Sequence, residues 1–350
     1  MLFGSDNWAG AAPQIMKSLE KHSHGHAMAY GDGELDKRVE NLFQEVFETK
    51  CEVFFVGTGT AANSLAFASC MRPGGVGFCH SEAHLTANEG GGPEFATGGG
   101  RLCPVDGEMG KISVESLARS VTAYPKSFNH LGQGTLVSLT QSTEGGTCYS
   151  LDEISGISAI ARENGLSLHM DGARFANALV ALDCSPAEMT WKRGVDMLSF
   201  GGTKNGCWCA EALIVFNPEL ARETEFLRKQ MGHLFSKTRF ITAQFEAYFE
   251  NGLWLDLARH SNSIGHNLAR LIEQSNRVRL AWPSNTNQVF FVASKNDGEA
   301  WINKGARIHP FPVPKSMNGS VSDDEQVYRL VASFISTPDD VNALSAIING

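Results

Sequence analysis

Between about residues 50 and 216 the chain alternates short apolar runs with helical periodicity, and this alternation limits the fold more than any other feature. The runs are Val53-Phe-Phe-Val56, Val76-Gly-Phe-Cys79, Leu136-Val-Ser-Leu-Thr140, Leu166-Ser-Leu-His-Met170, Asp196-Met-Leu-Ser-Phe200 and Ala212-Leu-Ile-Val-Phe216. Each is too short for a helix and is bounded by glycine or polar turns, as a buried strand is. The intervening stretches read as helices; Leu151, Ile154, Ile157, Ile160 and Ala161, for example, stand at core spacing. Such alternation predicts an α/β fold with a mostly parallel, doubly wound sheet. After Phe216 the pattern changes. Helical stretches over about 218–231, 237–250 and 254–274 precede short strands near Val289-Phe-Phe-Val292 and Tyr328-Arg-Leu-Val331, and a closing helix runs from Asp339 to Ile348. The expected division is an N-terminal arm (1–27), a large domain (28–245) and a smaller C-terminal α+β domain (246–350).

Composition narrows the function classes. The 350 residues are 42% hydrophobic and carry a net charge of −9, which argues against nucleic-acid or anionic-membrane partners. No apolar run reaches the roughly 18 residues a spanning helix needs. The first residues lack a basic segment followed by an apolar one, so no secretory signal is visible. Eight cysteines are scattered without a C-x-x-C pair, which predicts reduced thiols and a cytoplasmic location.

Two strand ends carry the chemistry. Strand 166–170 delivers Asp171, followed by Gly172-Ala-Arg174. Strand 196–200 ends in Gly201-Gly202 and then offers Thr203-Lys204. Ligands of α/β sheets sit beyond the carboxyl ends of the strands. An acid and a lysine placed there suit pyridoxal 5'-phosphate (PLP). The amine forms a Schiff base with the aldehyde, and the carboxylate keeps the pyridine nitrogen protonated. Val53–Val56 runs into Gly57-Thr-Gly-Thr60 and a helix start, a generic anion cradle that lacks the spaced glycines of dinucleotide binders. Val76–Cys79 delivers His80 and His84 to the same edge, followed by Glu89 and three glycines. Arg329 interrupts an apolar strand and calls for an anion or a solvent edge. His22-Ser-His-Gly-His26 lacks nearby acids or cysteines and reads as a solvated loop, so no metal site is expected.

Taken together, Ser5-Asp6, Tyr30-Gly-Asp32, Thr58-Gly-Thr60 with Asn63, His84, Glu89, His169-Met-Asp-Gly-Ala-Arg174, Thr203-Lys-Asn205 and Arg329-Leu-Val331 resemble the low-specificity L-threonine aldolases. These are PLP enzymes of the type I, aspartate-aminotransferase-like fold. The resemblance covers almost the whole chain. It implies that Lys204 carries the cofactor, Asp171 faces its ring nitrogen, Gly59 and Thr60 take its phosphate and His84 stacks on its ring. It further implies that Arg174, Arg329 and Ser5 bind the substrate carboxylate. Tyr30 and Arg239 would reach a neighbouring subunit's site in a homo-oligomer, dimer or tetramer. His130 matches a histidine near the substrate. His84, His130 or an ordered water would take the hydroxyl proton, with Lys204 the alternative. The implied reaction is cleavage of L-threonine, L-allo-threonine and phenylserine to glycine and an aldehyde. Another PLP lyase, an aminotransferase or a non-catalytic member of the fold are the alternatives. Two departures mark a sub-branch: Gln141-Ser-Thr143 at one strand end, and Met231-Gly-His-Leu-Phe-Ser236 ahead of the basic residue.

Overall fold

A computed structural model describes residues 2–317 and 319–350. Seven strands form the larger sheet: β1 (Glu52–Val56), β2 (Gly75–His80), β3 (Arg101–Val105), β4 (Gln133–Thr140), β5 (Ser167–Gly172), β6 (Met197–Gly201) and β7 (Glu211–Val215). Their order is β1-β7-β6-β5-β4-β2-β3. All are mutually parallel except β7, which runs against both of its neighbours. The link from β6 to β7 is too short for the dozen or more residues that a parallel crossover requires, so β7 must return antiparallel. The expected doubly wound sheet is thus present with one reversed strand.

Strand β3 escapes the apolar pattern. Arg101-Leu-Cys-Pro-Val105 contains a proline and is half-exposed, both features of an edge strand. The central strands β2, β6 and β7 are buried along their whole length, as a sheet covered on both faces requires. On one side Phe43, Phe200, Phe245, Phe249 and Trp254 form edge-to-face and tilted contacts at ring separations of 4.9 to 5.9 Å. Such geometry adds to the area term for aromatic burial. His169 is sealed between the Ser138 and Ser199 hydroxyls, 2.9 Å from each. Burial lowers it to about 4, so it stays neutral and serves the core.

The smaller sheet comprises β8 (Arg279–Trp282), β9 (Gln288–Ser294), β10 (His309–Phe311) and β11 (Glu325–Val331), all antiparallel in the order β10-β11-β9-β8. The helix Leu253–Gln274 links the two cores: Trp254 and Ala258 pack into the first, Ile264 and Leu268 into the second. The N-terminal arm is more ordered than its weak periodicity suggests. Pro13–Lys21 is a helix whose Ser18 hydroxyl donates to the Ala243 carbonyl at 2.6 Å. Phe3 is buried in the core that packs against the smaller sheet, and the Val331 N–H donates to its carbonyl. Among the described residues no helix is long and apolar enough to cross a membrane. All eight cysteines are free thiols, and burial pushes Cys51, Cys79 and Cys148 up to about 12.

Candidate active site

Parallel strands end at one edge, so β1, β2, β4, β5 and β6 deliver their following loops to the same place. There a cavity of about 250 Å³ is lined by Thr58–Thr60, Asn63, His84, Asp171 and Lys204, with Asn7, Glu89, Glu144, Thr203 and Glu211 completing the wall.

Each side chain is fixed for a local reason. Asp171 is buried at the end of β5; its Oδ1 accepts the Ala173 N–H and its Oδ2 accepts Asn63 Nδ2, both at 3.0 Å. Asn63 is set by the helix Gly59–Cys70, whose N-cap Thr58 accepts the Ala61 N–H through its hydroxyl. The Gly59 and Thr60 N–H groups open that helix and have no intrahelical acceptor. Lys204 sits in the short turn Thr203–Asn205, anchored by Asn205, which donates to the Tyr248 hydroxyl and the Trp254 carbonyl at 2.7 Å. The glycines ahead of it permit close approach: a Cβ on Gly201 would lie 2.7 Å from the Ala173 carbonyl oxygen. A side chain there would push the lysine strand away from the aspartate strand.

His84 is held through Nδ1 by Glu89 Oε1 at 2.8 Å, and the same oxygen accepts from Asn63 at 2.8 Å. The Glu89 hydrogen bond raises the His84 pKa, and burial only partly opposes it. Asn63 Oδ1 and Glu89 Oε2 are buried polar atoms with no partner within the described residues. Unpartnered groups of this sort are costly, and both belong to residues that line the cavity.

The two arginines differ. Arg174 donates from Nε and Nη2 to the Asp6 carboxylate at 2.7 and 3.0 Å, with both side chains buried. Burial works against both charges, but mutual attraction prevails. Asp6 falls below the usual carboxylate range and Arg174 rises. Arg329 has a buried Nε with no hydrogen-bond partner among the described residues. Burial and the facing charge of Arg174 pull it below its usual range. An incoming anion would relieve both effects. Ser5 caps the Asp6–Trp8 turn, its hydroxyl accepting the Asn7 N–H.

Ser5, Arg174 and Arg329 are not among the residues lining the cavity, and the other expected residues lie elsewhere on this chain. Tyr30 is exposed beneath Lys229, whose Nζ stands 5.2 Å from the ring centroid. Arg239 donates to the Gly25 carbonyl at 3.1 Å. His130 is exposed beside Phe128 and does not line the cavity. His22 pairs with Glu246 at 2.8 Å. Two lining acids, Glu144 and Glu211, are additions to the residues read from the sequence. Glu144 follows the divergent strand end at Gln141–Thr143, and its charge acts on His84, Arg174 and Arg329. Glu211 is the lone acid opening an otherwise apolar central strand, a signal visible in the sequence.

Residues 3–296 match the family model described as beta-eliminating lyase. A low-specificity L-threonine aldolase of Pseudomonas sp. is 42% identical over 309 residues, covering 88% of this chain and 89% of that one; a second, from Pseudomonas aeruginosa, matches equally. A solved Leishmania major threonine aldolase superposes with a TM-score of 0.90 at 28% identity, covering 99% of this chain and 98% of that one.

Proposed function

The chain belongs to the beta-eliminating lyase family, and from that premise we propose that it is an L-threonine aldolase. It splits L-threonine and L-allo-threonine, and phenylserine as well, into glycine and the matching aldehyde. The observation that carries this reading is the convergence of Lys204, Asp171 and the Thr58–Thr60 turn, three separate stretches of sequence, on one cavity.

The cofactor is pyridoxal phosphate, and the donor set suits it. The open N–H groups of Gly59 and Thr60 would take the phosphate, Asp171 the ring nitrogen and Lys204 the aldehyde, and His84 would pack against the ring. When bound, the cofactor supplies a sink for the electron pair released at Cα. Everything else falls to the protein. Asp171, fixed by Asn63, would face the ring nitrogen and keep its proton in place. Arg329 takes the substrate carboxylate, and Arg174, braced by Asp6, adds the second cation. Gripping the amine end and the carboxylate together fixes the direction of the Cα–Cβ bond. His84 accepts the hydroxyl proton as that bond breaks and a carbonyl forms at Cβ. The aldehyde departs, Cα gains one proton in place of the one lost from oxygen, and glycine leaves.

Tyr30 and Arg239 would complete a neighbouring subunit's site in a homo-oligomer on this reading. The exposed apolar side chains of Met28, Phe226 and Phe235 support that surface as an interface. The test is incubation with L-threonine and quantitation of glycine and acetaldehyde. Equal yields of the two are expected. Absence of aldehyde, or amino transfer to a keto acid instead, overturns the proposal.

A further inference from the structure

Glu211 is buried against the cavity and plays no part in the reaction described above. Its place follows from strand direction. Because β7 runs against its neighbours, its first residue lies at the edge where they end. The register pairs Glu211 with Val56, the last residue of β1, and with Gly201, the last residue of β6. It therefore stands between the Gly57–Thr60 turn and the turn that carries Lys204. Its Oε1 accepts the Thr203 N–H at 3.3 Å. Its Oε2 faces the other turn, 4.0 Å from where a Cβ on Gly59 would stand.

This placement sets up a conflict. The Gly59 and Thr60 N–H groups and the helix dipole favour an anion. An ionised carboxylate beside them repels the phosphate they attract, whereas a neutral carboxyl has a proton to donate. Burial raises Glu211 to about 7, with Thr203 and Lys204 opposing. Of the other groups that face it, Asp171 adds negative charge and favours the proton. The thiols of Cys207 and Cys209 and the Tyr248 phenol are raised by burial and stay neutral. A phosphate in the turn would favour the protonated form further.

We infer that Glu211 binds the cofactor phosphate as a neutral carboxylic acid, donating its Oε2 proton to a phosphate oxygen seated at Gly59 and Thr60. The inference rests on the reading of that turn as the phosphate seat. It adds a phosphate ligand whose strength depends on its own protonation. The competing arrangement is a Glu211 carboxylate ionised against Lys204, which would weaken phosphate binding.

The experiment measures phosphate preference, the ratio of dissociation constants for 4-deoxypyridoxine and its 5'-phosphate, on the full chain freed of cofactor. Neither probe has an aldehyde, so Lys204 chemistry does not enter and no turnover is read. Wild type, Glu211→Gln and Glu211→Ala are compared between about pH 6 and pH 9, which spans the titration. Glu211→Gln keeps a donor at every pH and also reports the phosphate's own ionisation. The expected result is a preference in wild type that falls about tenfold or more relative to Glu211→Gln as pH rises, and a low preference in Glu211→Ala throughout. Identical pH courses for wild type and Glu211→Gln, or a Gln variant as weak as the Ala variant, overturn the inference. A wild-type ratio near one at every pH instead refutes the phosphate seat itself. Should the Ala variant fail to fold, wild type against Glu211→Gln still decides.

Discussion

The Asp6 carboxylate accepts two hydrogen bonds from the Arg174 guanidinium, at 2.7 and 3.0 Å, across 168 residues of sequence. Asp6 also accepts from Asn287 Nδ2 at 3.2 Å. The N-terminal arm is thereby tied both to the turn that follows β5 and to the segment that leads into β9.

Asp6→Ala leaves a buried arginine unpaired. Removing one partner of such a pair costs about 3–5 kcal/mol, so denaturant unfolding should show a loss of that order. The linkage has a definite sign. Asp6 is held below its unfolded pKa, so its contribution is complete above the usual carboxylate range and fades as pH falls through the folded value. Wild type and variant should therefore converge in stability in acid. A constant difference down to low pH would show that the pair's charge is not what stabilises the arm.

Asp171→Asn should leave the fold intact, because its single amide oxygen can still accept the Ala173 N–H while its amide nitrogen donates to Asn63 Oδ1, which otherwise has no partner among the described residues, once the Asn63 amide turns over. The amide cannot hold the ring-nitrogen proton by charge, and turnover should drop by about two orders of magnitude or more. Circular dichroism and cofactor content check that the comparison is fair. Near-normal turnover in the loaded variant would remove Asp171 from its role.

Glu89→Gln keeps an acceptor for His84 Nδ1 but deletes the charge. The Glu89 hydrogen bond is the main cause of the raised His84 pKa, so the variant histidine should titrate lower. A base works when unprotonated, and the acid limb of the kcat/KM profile should move to lower pH. An unmoved limb would mean that another group, or a water, receives the hydroxyl proton.

Arg329→Ala should raise KM for L-threonine much more than it lowers kcat, since it removes a contact present in both ground and transition states. A charge-assisted hydrogen bond of about 1.5–3 kcal/mol corresponds to roughly 10- to 150-fold. Cleavage in the wild type should be strict at Cα and loose at Cβ. On the proposed reading two cations and Lys204 would fix the carboxylate and amine, whereas a single histidine would meet the hydroxyl. Comparing kcat/KM for the four threonine stereoisomers tests this; comparable turnover of D-threonine would contradict it.

The amino-acid sequence alone makes legible the strand runs of the parallel core, the helices between them and the placing of Asp171 and Lys204 at two strand ends. These follow from local pattern: apolar runs, glycine turns and a short list of residue types able to do the chemistry. It underspecified whatever depends on long-range register. The antiparallel course of β7 carries Glu211 to the site edge, and only the sheet order shows that its neighbours there are Val56 and Gly201. The arm looked unpatterned because its buried contacts, Phe3, Asp6 and Ser18, fall on different partners rather than on one periodic face. Likewise Arg174 and Arg329 are equivalent as letters. Only the fold gives one of them a carboxylate of its own and leaves the other with a buried Nε unpartnered, because charge pairing is decided by distance in space and not by spacing along the chain.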